Sequence, residues 1–140
     1  MTKISLSRRS YFSAAHRYYN KQWTEEINKK VFGLCYSEKG HGHNYILDTF
    51  VSGPVNKDTG MIINLIDLDA LLKNFVNILD HKHLNFDLPY FKTIIPTTEN
   101  IAGFCFKEIK TLLKDNALSI QLEQIRLYEN QDLWVDIINE

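Results

Sequence analysis

The sequence predicts an α+β fold, and three observations predict it. Alternation of apolar and polar residues recurs near the start, in the middle and at the end of the chain. Helical periodicity is confined to two stretches, after residue 67 and after residue 97. Turn-forming clusters separate these segments. The predicted order is β-β-β-α-α-β-β, with antiparallel strands and two helices covering one face of the sheet.

The first strand spans 3–16. Ile4, Leu6, Phe12, Ala14 and His16 fall on even positions, and Lys3, Ser5, Ser7, Arg9 and Ser13 on odd ones. Residues 17–34 have no clear period and read as a loop. A helical turn is expected at Thr24–Glu26, where Thr24 can cap and the acids suit a helix N-terminus. A polar loop, Cys35–Lys39, precedes the second strand. That strand carries His41, His43, Tyr45, Leu47, Thr49 and Val51 on one face, with Ile46 and Phe50 out of phase. Asn56–Gly60 is a turn signal leading to a third short strand, Met61–Asn64, expected to pair antiparallel with the second.

From Asp67 the period becomes helical. Leu68, Leu71, Leu72, Phe75, Val76 and Leu79 line one face, and Asp67 and Asp69 sit in the first turn. Residues 86–96 form a loop closed by Pro96. Thr97, Thr98 and Glu99 read as the start of a second helix with a threonine cap; its apolar face is Ile101, Ala102, Phe104, Cys105, Ile109, Leu112 and Leu113, and Cys105 is spaced as a core residue. Lys110 and Lys114 lie near its end, and Asp115-Asn116 stops it. The apolar phase shifts between Ile120/Leu122 and Ile125/Leu127, which places a bulge near Glu123-Gln124. A tight turn at 130–132 leads to the last strand, Leu133–Ile138.

The bulk properties narrow the function. The 140 residues suit a single domain with a real core, and 44% hydrophobic and 24% charged residues are ordinary for a soluble protein. A net charge of −1 gives no electrostatic footprint for nucleic acid. No apolar run is long enough to span a bilayer and no signal peptide is seen. Two distant cysteines argue against a disulfide framework, so a cytoplasmic location is expected.

The five histidines, at 16, 41, 43, 81 and 83, fall in three short stretches. His41 and His43 are two apart on a strand, so their imidazoles share a face, and the intervening glycines let a ligand approach the backbone. His16 ends the first strand and is the candidate third ligand. Three imidazoles with an open fourth position are the pattern of a catalytic zinc. Cys35 is either a fourth ligand that closes the site or a base within reach of the substrate. Asp80-His81 is either an acid/base pair or a helix-end residue beside an exposed histidine. Arg8, Arg9 and Arg17 can meet an anionic substrate or simply be solvated.

Several segments together resemble the 6-pyruvoyltetrahydropterin synthase family. They are Phe12-Ser13-Ala14-Ala15-His16-Arg17, Cys35 with His41-Gly42-His43-Asn44-Tyr45, Gly60-Met61 with Asn64-Leu65 and Asp67-Leu68, Leu79-Asp80-His81-Lys82, Pro96-Thr97-Thr98-Glu99-Asn100, and Tyr128-Glu129. The resemblance implies a T-fold: a four-stranded antiparallel sheet with a helix pair on one face. Subunits of that fold join their sheets into a barrel, typically a hexamer of two trimers with sites between subunits. It implies 7,8-dihydroneopterin triphosphate as substrate and Zn²⁺ on His16, His41 and His43. Cys35, Asp80 and His81 would form the acid/base set. Glu129 would anchor the pterin ring, with Thr97 and Thr98 against it. The five residues between Cys35 and His41 resemble the pyruvoyl branch more than the 6-carboxytetrahydropterin branch, which serves deazapurine (queuosine) biosynthesis. Glu38 departs from the usual pattern and leaves room for a branch that uses a glutamate base and makes the 6-hydroxymethyl product.

Overall fold

The computed structural model describes residues 2–116 and 118–140. The chain runs β1 (Ser5–His16), α1 (Glu25–Phe32), β2 (His41–Ser52), α2 (Leu65–Leu79), β3 (Lys82–His83), α3 (Leu84–Asp87), α4 (Thr98–Asp115), β4 (Gln121–Asn130) and β5 (Leu133–Ile138). Single 3-10 turns occupy Gly33–Tyr36 and Pro89–Lys92. The sheet order is β3-β1-β2-β4-β5. The four long strands are antiparallel, and the two-residue β3 adds to β1 in parallel. This is the expected α+β architecture, with the short β3 present, no strand at Met61–Asn64, and two short helices, α1 and α3, in addition to the two expected.

The register of β1 on β2 is set by which residues must be buried. Phe12 pairs with Tyr45, Ala14 with His43 and His16 with His41, so one face of the hairpin is apolar and ends in imidazoles. Phe12 and Tyr45 stack with ring centroids 4.9 Å apart. Leu47, Val51, Leu122, Ile125 and Leu127 continue this face, and Leu68, Phe75, Leu79, Ile101, Cys105 and Ile109 from α2 and α4 pack onto it. Each such side chain contributes roughly 1.5–3 kcal/mol on burial. Cys105 is fully buried, as its spacing predicts, and burial holds its thiol far above the usual range.

The bulge falls where the phase shift places it. Gln124 pairs with Phe50 and Leu122 with Val51, leaving Glu123 as the extra residue. The Glu123 carboxylate accepts from the Ser52 hydroxyl and pairs with Lys3. The caps are also as expected. Thr24 accepts from the Ile27 amide and Thr97 from the Asn100 amide.

Four expectations need correction. Met61–Asn64 is not a strand. The Asn56 amide donates to the Met61 carbonyl, closing the turn on itself, while Asn64 caps α2 by accepting from the Ile66 amide. Too few residues lie between turn and cap to pair with β2, although Ile63 still reaches the core. Helix α2 therefore begins before Asp67, and Asp69 lies beyond its first turn, paired with Arg8 at 2.7 and 2.8 Å. The helical turn near Thr24 is a two-turn helix, and the loop at 86–96 contains the end of α3 and a 3-10 turn.

Candidate active site

Three imidazoles converge at the end of the β1–β2 hairpin. His16 is completely buried, and His41 and His43 are half-buried. Ring centroids lie 4.7 Å apart for His16–His41, 5.0 Å for His16–His43 and 4.9 Å for His41–His43. One nitrogen from each falls within 4.8 Å of the others, and His16 Nε2 and His41 Nε2 are 3.1 Å apart. Nitrogens bound to one tetrahedral zinc sit roughly 3.3 Å apart. His43 Nε2 is buried and makes no well-aligned hydrogen bond, although a Glu129 oxygen lies 3.2 Å away; a cation there would satisfy both groups. Desolvation, then the neighbouring His41 and His43, push the His16 pKa down to about 3, so the ring is neutral and able to ligate. The donor set fits a divalent metal. Among the described residues Cys35 is outside this cluster.

The backbone that presents these rings is constrained. Gly40 sits at φ 75°, and a Cβ there would lie 2.5 Å from the His16 carbonyl oxygen. Glycine is needed where the loop turns under the end of β1 into β2. Tyr45, two residues after His43 on the same face, places its hydroxyl 3.0 Å from His16 Nδ1. The Pro96 carbonyl also faces the His16 ring.

Glu129 enters from β4. One of its oxygens lies 3.2 Å from His43 Nε2, 3.6 Å from His16 Nε2 and 3.4 Å from the Tyr18 hydroxyl. The Tyr18 ring stands 4.8 Å from His16, and Thr98, buried at the start of α4, lies near the Tyr18 hydroxyl. Burial, then Glu129, holds the Tyr18 phenol in its neutral form. Thr97 differs: its hydroxyl is occupied as the helix cap.

Cys35 lies in the 3-10 turn after α1, half-buried, and its carbonyl accepts from the Tyr18 amide at 2.8 Å. Burial and the Glu129 carboxylate push its thiol up. Glu38, two residues beyond the turn, is exposed.

Asp80 and His81 form a separate unit on the outer edge of β1. Asp80 accepts from the Ser13 amide with one oxygen (2.8 Å), and its other oxygen lies 2.9 Å from His81 Nδ1. The His81 amide donates to the Ser13 carbonyl at 2.6 Å, and His81 is held at φ 58°, in the left-handed region. The Ser13 amide is the main reason the Asp80 carboxyl lies below its ordinary range; His81 adds to it. The His81 ring is exposed. Among the described residues neither side chain makes a hydrogen bond, ion pair or ring contact with the imidazole cluster, Cys35 or Glu129.

Three imidazoles that could hold a metal ion, beside an acid and phenols on an antiparallel sheet backed by two helices, mark a candidate enzyme site on an α+β fold. The 6-pyruvoyl tetrahydropterin synthase family model matches residues 5–140, and the chain belongs to that family. It is 38% identical over 131 residues to the human 6-pyruvoyl tetrahydrobiopterin synthase, covering 93% of this chain and 88% of that protein. It is 39% identical over 133 residues to the Dictyostelium discoideum protein of the same name, covering 94% and 93%. The structure of Caenorhabditis elegans 6-pyruvoyl tetrahydropterin synthase superposes with a TM-score of 0.91 at 28% identity, covering 100% of this chain and 98% of that one. The family and these relatives support a pterin synthase function, and the fold is the T-fold of these neighbours. No helix among the described residues is long and apolar enough to cross a membrane.

Proposed function

We propose that this chain, acting as one T-fold domain, is a zinc-dependent cytoplasmic lyase of the 6-pyruvoyltetrahydropterin synthase type. Its substrate is 7,8-dihydroneopterin triphosphate, and it eliminates triphosphate in tetrahydrobiopterin-type pterin biosynthesis. The observation that carries this reading is the convergence of His16, His41 and His43, with Glu129 in the same pocket, in a chain of this family.

His16, His41 and His43 would hold the zinc, which when bound would supply Lewis-acid chemistry toward the substrate's side-chain hydroxyls. Glu129 accepts two N–H bonds from the pterin's amino and ring nitrogens, a bidentate match that fixes the ring. Thr98 and Tyr18 border the same pocket, and Thr97 lies against the ring through its backbone and methyl. Cys35 withdraws a proton from the substrate side chain, and its thiol gains base character only in the loaded site. Asp80 orients His81, which exchanges the second proton. Because Asp80-His81 makes no hydrogen bond, ion pair or ring contact with the cluster of its own chain among the described residues, we place it in the site of a neighbouring copy. The assembly is then a homo-oligomer, a hexamer of two trimers with sheets joined at their edges.

The purified protein incubated with 7,8-dihydroneopterin triphosphate is expected to release triphosphate. The Cys35→Ala variant should lose that release while metal analysis still finds zinc. Release unchanged in the variant would move the base to Glu38 or elsewhere. A pterin recovered unaltered from the wild-type protein would leave only a non-catalytic binder. The second reading is the 6-carboxytetrahydropterin branch. A putative 6-carboxy-5,6,7,8-tetrahydropterin synthase of Archaeoglobus fulgidus is 34% identical over 99 residues, 71% of this chain and 76% of that protein. Mass spectrometry of the product separates the two, because only the carboxy branch loses a two-carbon fragment.

A further inference from the structure

The chain has four arginines, and three are bound to carboxylates through two N–H bonds each: Arg8 to Asp69, Arg9 to Asp48 and Arg126 to Asp136. Arg17 is different. Among the described residues it has no carboxylate partner. Its guanidinium packs over the rings of Tyr19 and Tyr36, 4.6 and 4.4 Å from their centroids. Its Nε donates to the Tyr36 carbonyl at 2.9 Å. The backbone is pinned as well. The Arg17 amide donates to Asn85 Oδ1, and Asn85 Nδ2 donates to the Arg17 carbonyl, both at 2.8 Å. Asn85 is buried. No described hydrogen bond uses the two terminal amino groups of Arg17.

The location of this half-used fork is informative. Arg17 directly follows His16, and Tyr36 directly follows Cys35. The Tyr18 amide to Cys35 carbonyl bond and the Arg17 Nε to Tyr36 carbonyl bond together stitch these two segments. The guanidinium therefore ties the segment that follows a metal-capable imidazole to the segment that follows the candidate base. Tyr19, one of its two stacking rings, is also a wall of a cavity of about 370 Å³, where residues 19–22 face 91–95 and Asn85. Lys21 and Lys92, both exposed, line that cavity, and no described carboxylate pairs with either.

We propose that Arg17 anchors the polyphosphate group of the substrate, and that Lys21 and Lys92 take up its outer phosphates along the cavity. This rests on the pterin triphosphate reading above. A planar guanidinium with two adjacent amino groups matches two phosphate oxygens, and stacking between aromatic rings fixes its orientation before the ligand arrives. A rigid cation with no counter-charge of its own carries little cost when an anion docks on it. The three paired arginines cannot do this without breaking a bidentate bond. A free lysine would meet the same charge as a mobile point.

The experiment titrates inorganic triphosphate, and separately unphosphorylated 7,8-dihydroneopterin, into the full chain by calorimetry. The wild-type protein should bind triphosphate, and more weakly as salt rises. Arg17→Gln should weaken triphosphate binding roughly tenfold or more, the scale of one lost charge-assisted contact, and leave dihydroneopterin binding within about twofold. Arg17→Lys should recover only part, because it restores charge without the fork. A Lys21→Gln/Lys92→Gln double variant, altered only at exposed positions, should weaken triphosphate alone. Triphosphate bound equally by wild type and Arg17→Gln overturns the proposal, as does no binding by the wild type. An equal loss of both ligands in Arg17→Gln also overturns it, since that marks a strut of the loop. Turnover of the phosphorylated substrate by the wild type is measured apart from these titrations, so failure of the lyase reading is distinguishable.

Discussion

At the residue scale, the imidazole cluster depends on a hydroxyl. Tyr45 is buried, its ring stacked on Phe12 and its oxygen 3.0 Å from His16 Nδ1. A partner on Nδ1 fixes ring orientation and favours presentation of Nε2 to a metal. Tyr45→Phe keeps the stacking and removes only that oxygen. Zinc affinity, measured by competition with a chromogenic chelator, should fall about 10- to 100-fold with little change in the far-ultraviolet spectrum. Asp80 gives a pH prediction. Its carboxyl is lowered in the folded chain, first by the Ser13 amide, so it stabilises the fold in the ionised form. That contribution is full above the unfolded value of about 3.9 and drains away as pH falls through the folded value. In urea melts, the advantage of wild type over Asp80→Asn should be constant from about pH 5 to 7 and shrink below about pH 4. Much of this site was legible in the chain. His41 and His43 declare themselves by strand spacing, and His16 by its place at the end of an alternating run. Tyr45 was visible on the shared face, but nothing in a strand pattern says that its hydroxyl meets a ring from another strand. Tyr18 lies past the end of β1, where periodicity stops, and the approach of Glu129 to the imidazoles depends on how β4 docks.

At the element scale, long apolar periods read correctly and short ones did not. Helices α2 and α4 carry six and seven buried residues respectively, enough to fix their faces from sequence. The Met61–Asn64 stretch has strand-like residues, yet Asn64 is worth more to the chain as the α2 cap than as a ladder residue. The two-residue β3 has no sequence signal at all. It exists because Asp80 and His81 clasp Ser13 and deliver Lys82 and His83 beside Ala14 and Ala15. The cap of α4 tests a division of labour between adjacent threonines. Thr97 holds the Asn100 amide, whereas Thr98 is buried against Tyr18. Thr97→Ala should cost about 1 kcal/mol and lower the melting midpoint by roughly 3–5 °C, and Thr97→Ser should restore it. Thr98→Ser should leave the midpoint nearer wild type and act on pterin KM instead. Calorimetry and steady-state kinetics on the same preparations separate the two.

At the scale of the whole molecule, the sheet is open and two-faced. One face is covered by α2 and α4. The other carries Tyr11, Ile46, Phe50, Tyr128 and Trp134, among which Tyr11 and Trp134 are exposed. These are the residues that break the simple alternation in β2 and its neighbours, and they mark a surface with apolar content of its own. The outer edge of β5 is unpaired among the described residues, and β1 is covered on its outer side only at Ala14–Ala15. In one chain the candidate chemistry is divided. Glu129 lies beside the imidazoles, whereas Asp80-His81 clasps Ser13 at the β1 edge and makes no direct contact with them among the described residues. If a second copy supplies the missing half, variants defective in opposite halves should rescue each other. Cys35→Ala and His81→Ala, each inactive by itself, would be unfolded together in equal amounts and refolded with zinc. Random assembly then forms sites in which the Cys35 donor and the His81 donor are both intact in about a quarter of cases, so triphosphate release should recover to about a quarter of wild type. Refolding each variant alone is the control and should recover none. A mixture as inactive as its parents would place both halves in one chain, and would require the β1 edge to swing Asp80-His81 toward the imidazoles when substrate binds.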